Sequence, residues 1–403
     1  MLDKNRTIAI ELTEHQTSRF PANTISNDVG EKLWQAYDVQ KGVLNVTFPN
    51  PKTNDHWEIT PLGWVGTIPL TSSQRLFLQP KISLQNIFRM WEYAYQLQSI
   101  YILDNLITVN TVQDLFDHLA NMLAKWAVRR GQIGLHRLYA PYNRKLPFLR
   151  GRLLLQKNSA TVSPDLNCQF DEQSSDIPDN QILLFTLYRI AKTGLCRAST
   201  QRLVRKAYHL FAGSVSLRPF TPSACINRTY SRLNQDYQLM HALCRFFLDH
   251  IGPTHQPGEH EMKPFLINMP RLFEQFVAAW MKAHLPSPWQ LQVQESVHLG
   301  EHNDLRFDID LVLYDENGRS WAVLDTKYKT HAKPDPSDIH QIIAYANAKQ
   351  APQAILIYPT PLAHPLNIQL DDINIRTLSF SLDDNLQKSG ENFLNYLHKA
   401  NKV

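Results

Sequence analysis

Short runs of alternating apolar and polar residues dominate the first 83 residues. They are rich in β-branched and aromatic side chains, are separated by Asn, Pro, Gly and Ser, and read TIAIEL, GVLNVTF, HWEIT, GWVGTIPL and RLFLQPKI. Alternation with a period of two is typical of strands that bury one face. The pattern predicts a β-rich N-terminal domain over residues 1–83, built as a small barrel or sandwich.

Further along the chain the apolar positions recur every three or four residues, which is the spacing of an amphipathic helix. Two long helices are predicted, LQNIFRMWEYAYQL and VQDLFDHLANMLAKWAVRRG, and the second is expected to end at Gly131 because glycine commonly terminates helices. Shorter helices are predicted near residues 180–195 and 228–250. Together they define a helical middle region over residues 84–251, and a linker rich in Gly, Pro and charge follows over residues 252–264.

The last part of the chain, residues 265–403, has the most regular order of elements. The predicted order is the helix RLFEQFVAAWMKAHL, the strands WQLQVQESVHL, LRFDIDLVLY and WAVLDTKYK, the helix SDIHQIIAYANAK and the strand QAILIYP. A DENG turn makes the second and third strands antiparallel neighbours, and Ser337 or Asp338 is the expected N-cap of the second helix. The expected fold is therefore α+β and multidomain, closed by an α/β unit of helix, three strands, helix and strand.

Composition narrows the possible partners and the compartment. The 41 basic and 37 acidic residues give a net charge of +4, so any nucleic-acid contact must come from a local patch. The N-terminal segment carries charges where a signal peptide needs an apolar core, and no apolar run is long enough for a membrane helix. Four dispersed cysteines without a CxxC pair argue against a zinc site or a disulfide framework. We expect a cytoplasmic protein that has no contact with membranes.

Charged residues interrupt two of the predicted C-terminal strands. Asp308 and Asp310 alternate within LRFDIDLVLY, and Asp325 and Lys327 alternate at the end of WAVLDTKYK, so each pair shares one face of its strand. The turn between these strands allows the acidic positions to lie side by side. Neighbouring carboxylates repel each other, and a hard divalent cation such as Mg²⁺ relieves the repulsion. The alternative interpretation, an exposed Asp325–Lys327 ion pair, gives no reason for a second aspartate.

The order of these residues resembles the PD-(D/E)xK nuclease core and, more closely, the McrC family, the nuclease subunits of McrBC modification-dependent restriction systems. LRFDIDLVL is similar to the family's RPDI-type strand, with Phe307 in place of proline, and VLDTKYK is similar to its DTKYK-type strand. DIHQIIAYA resembles its QxxxY helix, and RLFEQFV resembles its FE-containing helix. LFLQPKI, FLRGRLLL and DIPDNQILL resemble elements of the N-terminal and middle regions, so the resemblance covers most of the chain.

The resemblance implies a DNA endonuclease that uses Mg²⁺, with Mn²⁺ as an alternative and with one or two ions. By alignment with the two motif strands it implies Asp308 and Asp325 as metal ligands, with Asp310 as the second choice to Asp308. Lys327 would position the attacking water and stabilise the transition state. The further residues that the resemblance assigns to the site are Glu274, as an upstream acidic residue, Gln341 and Tyr345.

Four cations are candidate contacts to DNA phosphates. Two lie beside the motif strands and two flank a glycine in the middle region: Arg306, Lys329, Arg150 and Arg152. Binding through the phosphate backbone would be salt-sensitive and independent of sequence. For Arg150 and Arg152, pairing with the nearby acidic residues is an equally good interpretation.

The resemblance also implies a partner, the AAA+ GTPase McrB, which recognises methylcytosine-modified DNA and translocates it. The N-terminal strands and the helices after them would form a stalk that docks into the ring of this partner and stimulates GTP hydrolysis. This chain has no GxxxxGK[ST] sequence, so GTP would be bound by the partner. Two alternatives remain open: a stand-alone or repair-type nuclease with the same site, and a non-catalytic regulator of an AAA+ ring.

Overall fold

The chain forms two compact units, and the first of them is discontinuous in sequence. The computed structural model describes residues 8–71, 74–95, 111–154, 165–252, 263–299, 305–329, 333–382 and 386–398. The first unit comprises Met1–Val112 together with Leu266–Val403, and the second unit comprises Gln113–Phe265. The predicted β-rich and α/β segments therefore belong to one compact unit, and the boundaries of the three predicted domains stay a prediction.

The described elements alternate between short strands and helices of two to six turns. The strands are β1 Ile8–Thr13, β2 Ser18–Pro21, β3 Leu44–Thr47, β4 His56–Pro61, β5 Trp64–Pro69, β6 Gln74–Gln79, β7 Leu138–Leu146, β8 Arg152–Leu153, β9 Leu166–Ser174, β10 Phe265–Asn268, β11 Gln290–Leu299, β12 Leu305–Tyr314, β13 Ser320–Thr326, β14 Gln353–Tyr358, β15 Asn367–Leu370 and β16 Ile373–Ser379. The helices are α1 Asn27–Leu33, α2 Leu84–Ala94, α3 Val112–Ile133, α4 Pro178–Ala191, α5 Ala198–Ala212, α6 Tyr237–His250, α7 Met269–His284, α8 Pro336–Lys349 and α9 Leu386–His398. The molecule is therefore mixed α/β.

The N-terminal part of the first unit consists of two small sheets around one apolar core. One sheet has the order β1-β6-β5-β10, with β1 and β6 parallel, and the other has the antiparallel order β2-β4-β3. Trp57, Ile59, Ile68 and Leu76 are buried between them. The five strands predicted for this region are confirmed as β1, β3, β4, β5 and β6.

The C-terminal part of the first unit contains a six-stranded sheet in the order β11-β12-β13-β14-β16-β15. The strands β11, β12 and β13 form an antiparallel meander, whereas β13, β14 and β16 are parallel. The order α7, β11, β12, β13, α8, β14 confirms the predicted succession of elements. Because a parallel connection needs a crossover, α8 lies between β13 and β14 in the chain and packs on both strands.

The helix α7 buries the apolar stripe that its sequence predicts. Asn268 caps the helix by accepting a hydrogen bond from the N–H of Arg271, and Pro270 occupies the first turn, where a missing N–H costs nothing. The buried residues of this helix include all six predicted ones, Leu272, Phe273, Phe276, Val277, Trp280 and Met281.

The second unit consists of the helices α3 to α6 and the small antiparallel sheet β7-β9-β8. A buried polar network joins α4, α6 and the segment before α6, because the carboxylate of Asp179 accepts hydrogen bonds from Arg228 and Asn234, and its backbone carbonyl contacts His241. Burial lowers the pKa of His241 to about 4, so the ring is neutral at pH 7. Asp179 is the second aspartate of the DIPDNQILL segment, and its hydrogen bonds in the core explain why an acidic residue stands at this position.

Two predictions about helix ends are wrong. The helix α3 continues through Gly131 to Ile133, and an added Cβ at Gly131 would lie 3.1 Å from Cβ of Leu210, so the glycine permits close packing instead of ending the helix. The helix α8 has Asp335 at its N-cap position, not Ser337 or Asp338, because Pro336 begins the helix.

The middle region also departs from the predicted boundaries. Residues 228–236 precede the helix α6, whereas the helix α5 was not predicted at all. Most of the predicted linker, residues 253–262, lies outside the described residues. Among the helices that the structure describes, none combines the length and the apolarity needed to cross a bilayer.

The contact between α7 and α9 supplies a test of the fold. A Cβ added at Gly390 would lie 1.9 Å from Cζ2 of the fully buried Trp280. We expect Gly390→Ala to lower the free energy of unfolding by about 1–3 kcal/mol through overpacking, measured by chemical denaturation. Gly213→Ala is the matched control, because nothing lies within 4 Å of its added Cβ. Equal stabilities of the two variants would contradict this packing.

Candidate active site

The end of β13 carries a buried carboxylate. Asp325 is the sixth residue of the strand and is only 3% exposed. It pairs in register with Leu356 of the parallel strand β14, and two residues later the N–H of Lys327 donates a hydrogen bond to the carbonyl of Ile357 at 2.8 Å. The backbone of both charged residues is therefore fixed by the sheet.

A second carboxylate lies opposite Asp325. The pairing of β12 with β13 brings Leu311 opposite Leu324, and continuing this antiparallel register by one residue brings Asp310 opposite Asp325. The carboxylate of Asp310 accepts hydrogen bonds from the N–H of Thr326 at 3.2 Å and from its hydroxyl at 3.4 Å. The two carboxylates thus meet where the β12–β13 ladder ends.

Lys327 is held by side chains from both the strand and the helix α8. Its Nζ lies 2.7 Å from Oδ2 of Asp325 and donates a hydrogen bond to Oε1 of Gln341 at 2.9 Å. Gln341 in turn donates to the hydroxyl of Tyr345 at 2.8 Å, one helical turn further along α8. Residues at i and i+4 share a helix face, so α8 directs both polar side chains at the strand end.

The electrostatics of this group reflect its burial. Burial, followed by the neighbouring Asp310, raises the pKa of Asp325 to about 6. Burial also raises the pKa of Asp310, and the hydrogen bonds from Thr326 only partly offset the effect. For Lys327, burial opposes the charged form, but the carboxylates of Asp325, Asp338 and Asp310 raise its pKa overall. The ammonium therefore compensates two buried acids.

Glu274 of α7 is a third acidic residue near Asp310 and Asp325. It is half-buried and accepts a hydrogen bond from Nε2 of Gln294 at 3.2 Å. Burial and the charge of Asp310 raise its pKa, which places the two carboxylates within electrostatic reach of each other. The structure thus brings Asp325, Lys327, Gln341, Tyr345 and Glu274 into one neighbourhood together with Asp310.

Asp308 lies apart from this group. Its side chain is 60% exposed, contacts Nη2 of Arg306 at 2.8 Å and accepts a hydrogen bond from the hydroxyl of Ser296 at 2.5 Å. These hydrogen bonds, from Ser296 first and then Arg306, hold its pKa below the ordinary value. The β12–β13 register explains this placement, because Asp308 lies two residues beyond the position opposite Asp325. The geometry therefore makes Asp310, the second choice of the sequence analysis, the neighbour of Asp325, and the identity of the metal ligands stays a prediction.

Three of the four predicted DNA-contacting cations are engaged within the protein. Lys329 contacts Asp335 at 2.6 Å and Asp338 at 2.8 Å, and Arg306 is paired with Asp308 as described above. In the second unit, Arg150 stacks over the ring of Phe170 at 4.1 Å and approaches Glu172 at 3.7 Å. Arg152 is an exposed residue of β8.

The residues of this group fit a hard divalent cation, because Asp310 and Asp325 supply carboxylate oxygens. Oδ2 of Asp325 is buried and lies 2.7 Å from the ammonium of Lys327. The described residues contain no group of three His, Cys, Asp or Glu side chains in metal-binding geometry. Mg²⁺ commonly keeps several waters and uses one or two carboxylates, so the pair Asp310 and Asp325 is a sufficient donor set.

Two buried acidic residues, one near Lys327 and one bonded to Tyr328, were missed by the sequence analysis. Asp338 lies one turn before Gln341 on α8, and its Oδ1 is 3.7 Å from Nζ of Lys327; this spacing was the available signal. Glu14 is fully buried and accepts a hydrogen bond from the hydroxyl of Tyr328 at 3.3 Å, although 314 residues separate them. No local pattern indicates a contact of that separation.

Comparisons with known proteins bear on the whole chain. A family model described as "McrBC 5-methylcytosine restriction system component" matches residues 59–359. By sequence, no curated protein matches the chain.

Two solved structures with similar folds are assemblies from Thermococcus gammatolerans. The chain is similar, at 19% identity and a TM-score of 0.61, to a chain of a refined half-complex from the tetradecameric assembly of Thermococcus gammatolerans McrB AAA+ hexamers with bound McrC. That match covers 97% of this chain and 100% of the other. A cryo-EM structure of the T. gammatolerans McrBC complex matches at 19% identity over 69% of this chain and 88% of the other, with a TM-score of 0.45.

The raised pKa of Asp325 predicts a pH-dependent stability. Below about pH 4 the carboxyl is protonated in both states; as the pH rises through about 6 the folded protein loses the stability that the bound proton provides. A shift of about two units corresponds to roughly 3 kcal/mol. We expect Asp325→Asn, in the presence of EDTA, to unfold like the wild type near pH 4 and to be more stable at pH 8.

Mg²⁺ should stabilise the wild type at pH 8 but not the Asp325→Asn variant. At pH 8 we expect Mg²⁺ to raise the melting temperature of the wild type, because the ion binds only the folded state, and to leave Asp325→Asn unchanged. Asp308→Asn is the matched control and should keep the full response. If Asp308→Asn abolishes the rise in melting temperature and Asp325→Asn retains it, the metal binds at Asp308 and not at Asp325.

Proposed function

This chain belongs to the family of McrBC 5-methylcytosine restriction system components, and from that premise we propose that it is the endonuclease subunit of such a system. It hydrolyses phosphodiester bonds of methylcytosine-modified foreign DNA in the cytoplasm. The observation that carries the proposal is the pair of facing carboxylates, Asp310 and Asp325, with the ammonium of Lys327 at 2.7 Å from the second. Helix, three strands, helix and strand around them support a PD-(D/E)xK-type fold.

Each residue of the site has a role that follows from its position. Asp310 and Asp325 would hold Mg²⁺, or Mn²⁺, and the bound ion would polarise the scissile phosphate and lower the pKa of bound water. Lys327 positions the attacking water and stabilises negative charge that develops on the phosphate. Gln341 fixes the ammonium from one side and is itself oriented by Tyr345. Glu274 acts through Gln294 or through water, at the edge of the site.

The chain requires a partner for nucleotide chemistry. Its sequence lacks a GxxxxGK[ST] motif, and its fold resembles a chain from an assembly of McrB AAA+ hexamers with bound McrC. An McrB-like AAA+ GTPase would bind GTP, recognise the modified DNA and bring it to the carboxylate pair. This chain would in turn stimulate GTP hydrolysis by the ring.

Cleavage of methylated plasmid DNA tests the proposal. We expect cutting only when the purified chain, its McrB-like GTPase, GTP and Mg²⁺ are all present, and we expect Lys327→Ala or Asp310→Asn to reduce the cleavage rate at least a hundredfold. Asp308→Asn is the control of equal chemistry and should retain most of the rate. Product formation is followed on agarose gels, and the GTPase rate is measured in parallel.

The other outcomes identify other functions. Cutting by the chain alone would indicate a stand-alone nuclease. Stimulation of GTP hydrolysis without any cutting would indicate a non-catalytic regulator of the ring. A Lys327→Ala variant that cuts as fast as the wild type would show that the assigned site is wrong.

Lys329 is expected to act on Lys327 through Asp338. It neutralises Asp338 at 2.8 Å, whereas Asp338 lies 3.7 Å from Lys327. In Lys329→Gln the carboxylate of Asp338 loses its closer partner and should attract the ammonium of Lys327 away from the substrate. We expect the turnover number to fall about tenfold, which is roughly 1.4 kcal/mol, with DNA affinity unchanged.

The double variant separates this role from a direct DNA contact. Lys329→Gln combined with Asp338→Asn removes the competing charge and should restore most of the turnover. If Lys329→Gln instead weakens DNA binding at an unchanged turnover number, Lys329 contacts the phosphate backbone, as the sequence analysis suggested.

A further inference from the structure

The small net charge of the chain hides two large charges of opposite sign. The second unit, Gln113–Phe265, contains 20 Lys and Arg against 11 Asp and Glu, a net charge of +9. The first unit contains the remaining 21 Lys and Arg against 26 Asp and Glu, a net charge of −5. The unit with the candidate active site thus repels a polyanion as a whole, and the second unit attracts one.

Part of the positive charge is concentrated on the helix α5. Arg202, Arg205, Lys206 and His209 are all exposed, and their spacing of three, four and seven residues places them on one face, which we call the α5 face. The helix contains no Asp or Glu, and its opposite side is buried through Val204, Ala207 and Phe211. The packed side fixes the helix, so the orientation of the cationic side is determined by the core.

The cations of the α5 face differ from the structural cations of the same unit. Arg197 contacts Asp114 at 2.5 Å, and Arg228 is paired with the buried Asp179. By contrast, the described residues place no carboxylate within ion-pair distance of Arg205 or Lys206, and Arg202 donates only to a carbonyl of its own helix at 3.3 Å. Three neighbouring cations without a carboxylate partner form a local positive patch, which attracts an external anion.

Aromatic side chains continue the cationic surface onto α4. The rings of Tyr208 and His209 are 5.5 Å apart, the rings of Tyr188 and Tyr208 are 6.4 Å apart, and Nζ of the exposed Lys192 lies 5.8 Å from the ring of Tyr188. The surface therefore joins the helix ends of α4 and α5 through half-buried tyrosines. Basic residues interleaved with tyrosine are a common composition of surfaces that bind nucleic acids.

We propose that the α5 face binds the phosphate backbone of DNA and is a docking surface separate from the catalytic carboxylates. Seven residues of helix span about 10 Å, which is enough for about three phosphates at an axial spacing of 3.4 Å. Contacts of this kind carry no sequence preference and add affinity that the acidic first unit lacks. The identity of the polyanion rests on the proposed function, whereas the existence of the surface does not.

Salt-dependent DNA binding tests this proposal without any cleavage. The triple variant Arg202→Gln, Arg205→Gln and Lys206→Gln is compared with its parent, both carrying Asp325→Asn to prevent cutting, by fluorescence anisotropy with a labelled duplex. We expect affinity to fall at least tenfold and the slope of log K against log salt to become shallower by about 2–3, because each lost phosphate contact contributes about 0.9.

A charge-matched control excludes a general effect of net charge. Lys32→Gln, Lys282→Gln and Lys388→Gln remove the same charge from exposed positions of the first unit and should leave the slope unchanged. Melting temperatures of all variants verify that each is folded.

Two outcomes would overturn the inference. In the first, the slopes of log K against log salt are equal for the two triple variants. In the second, the α5 variant binds DNA normally but loses association with the AAA+ partner, so the α5 face is a protein interface. If the wild type fails to cleave in the complete mixture while the slope still falls as expected, the proposed function fails and the DNA-binding surface stands.

Discussion

The repulsion between Asp310 and Asp325 is the constraint around which the C-terminal half is organised. Two carboxylates face each other at the end of a ladder whose strands are otherwise apolar, and burial raises the pKa of both. Placing them there is unfavourable in a metal-free protein, so the surrounding sheet must hold the backbone rigidly on both sides. The hydrogen bond from Lys327 to Ile357 and the parallel ladder of β13 with β14 supply that rigidity.

A series of side chains with alternating charge leads away from the Asp310–Asp325 pair. Lys327 lies against Asp325, Asp338 lies near Lys327, and Lys329 lies between Asp338 and Asp335. The helix α8 contributes the acidic members, and β13 and the residues after it contribute the cations. Such a chain of ions distributes the cost of burial, and it makes the position of each ammonium depend on the next ion pair.

Local patterns predicted the strands and the helices well because alternation and helical periodicity are properties of neighbouring residues. The predicted strand WAVLDTKYK became β13, which ends at Thr326 between Asp325 and Lys327, and α7 buried the six predicted residues. The choice between Asp308 and Asp310 depended on the register of β12 against β13. Both aspartates lie on the same face of β12, so the alternation of the sequence does not tell which one lies opposite Asp325. Likewise, a glycine at position 131 is compatible with a helix end and with a close contact between helices. The nearby Leu210 shows that the glycine serves the close contact.

The discontinuity of the first unit has a consequence for biosynthesis. Its N-terminal segment leaves the ribosome 153 residues before its C-terminal segment begins, as the second unit spans Gln113–Phe265. At ordinary rates of translation this delay is roughly 8–30 s. Glu14 must wait throughout for Tyr328, its partner 314 residues away. The segment that carries Asp325 and Lys327 is made after the whole second unit, so an incomplete chain cannot bring these two residues together with Gln341. Under the proposed nuclease function, fragments of the chain would therefore leave the cell's own DNA uncut.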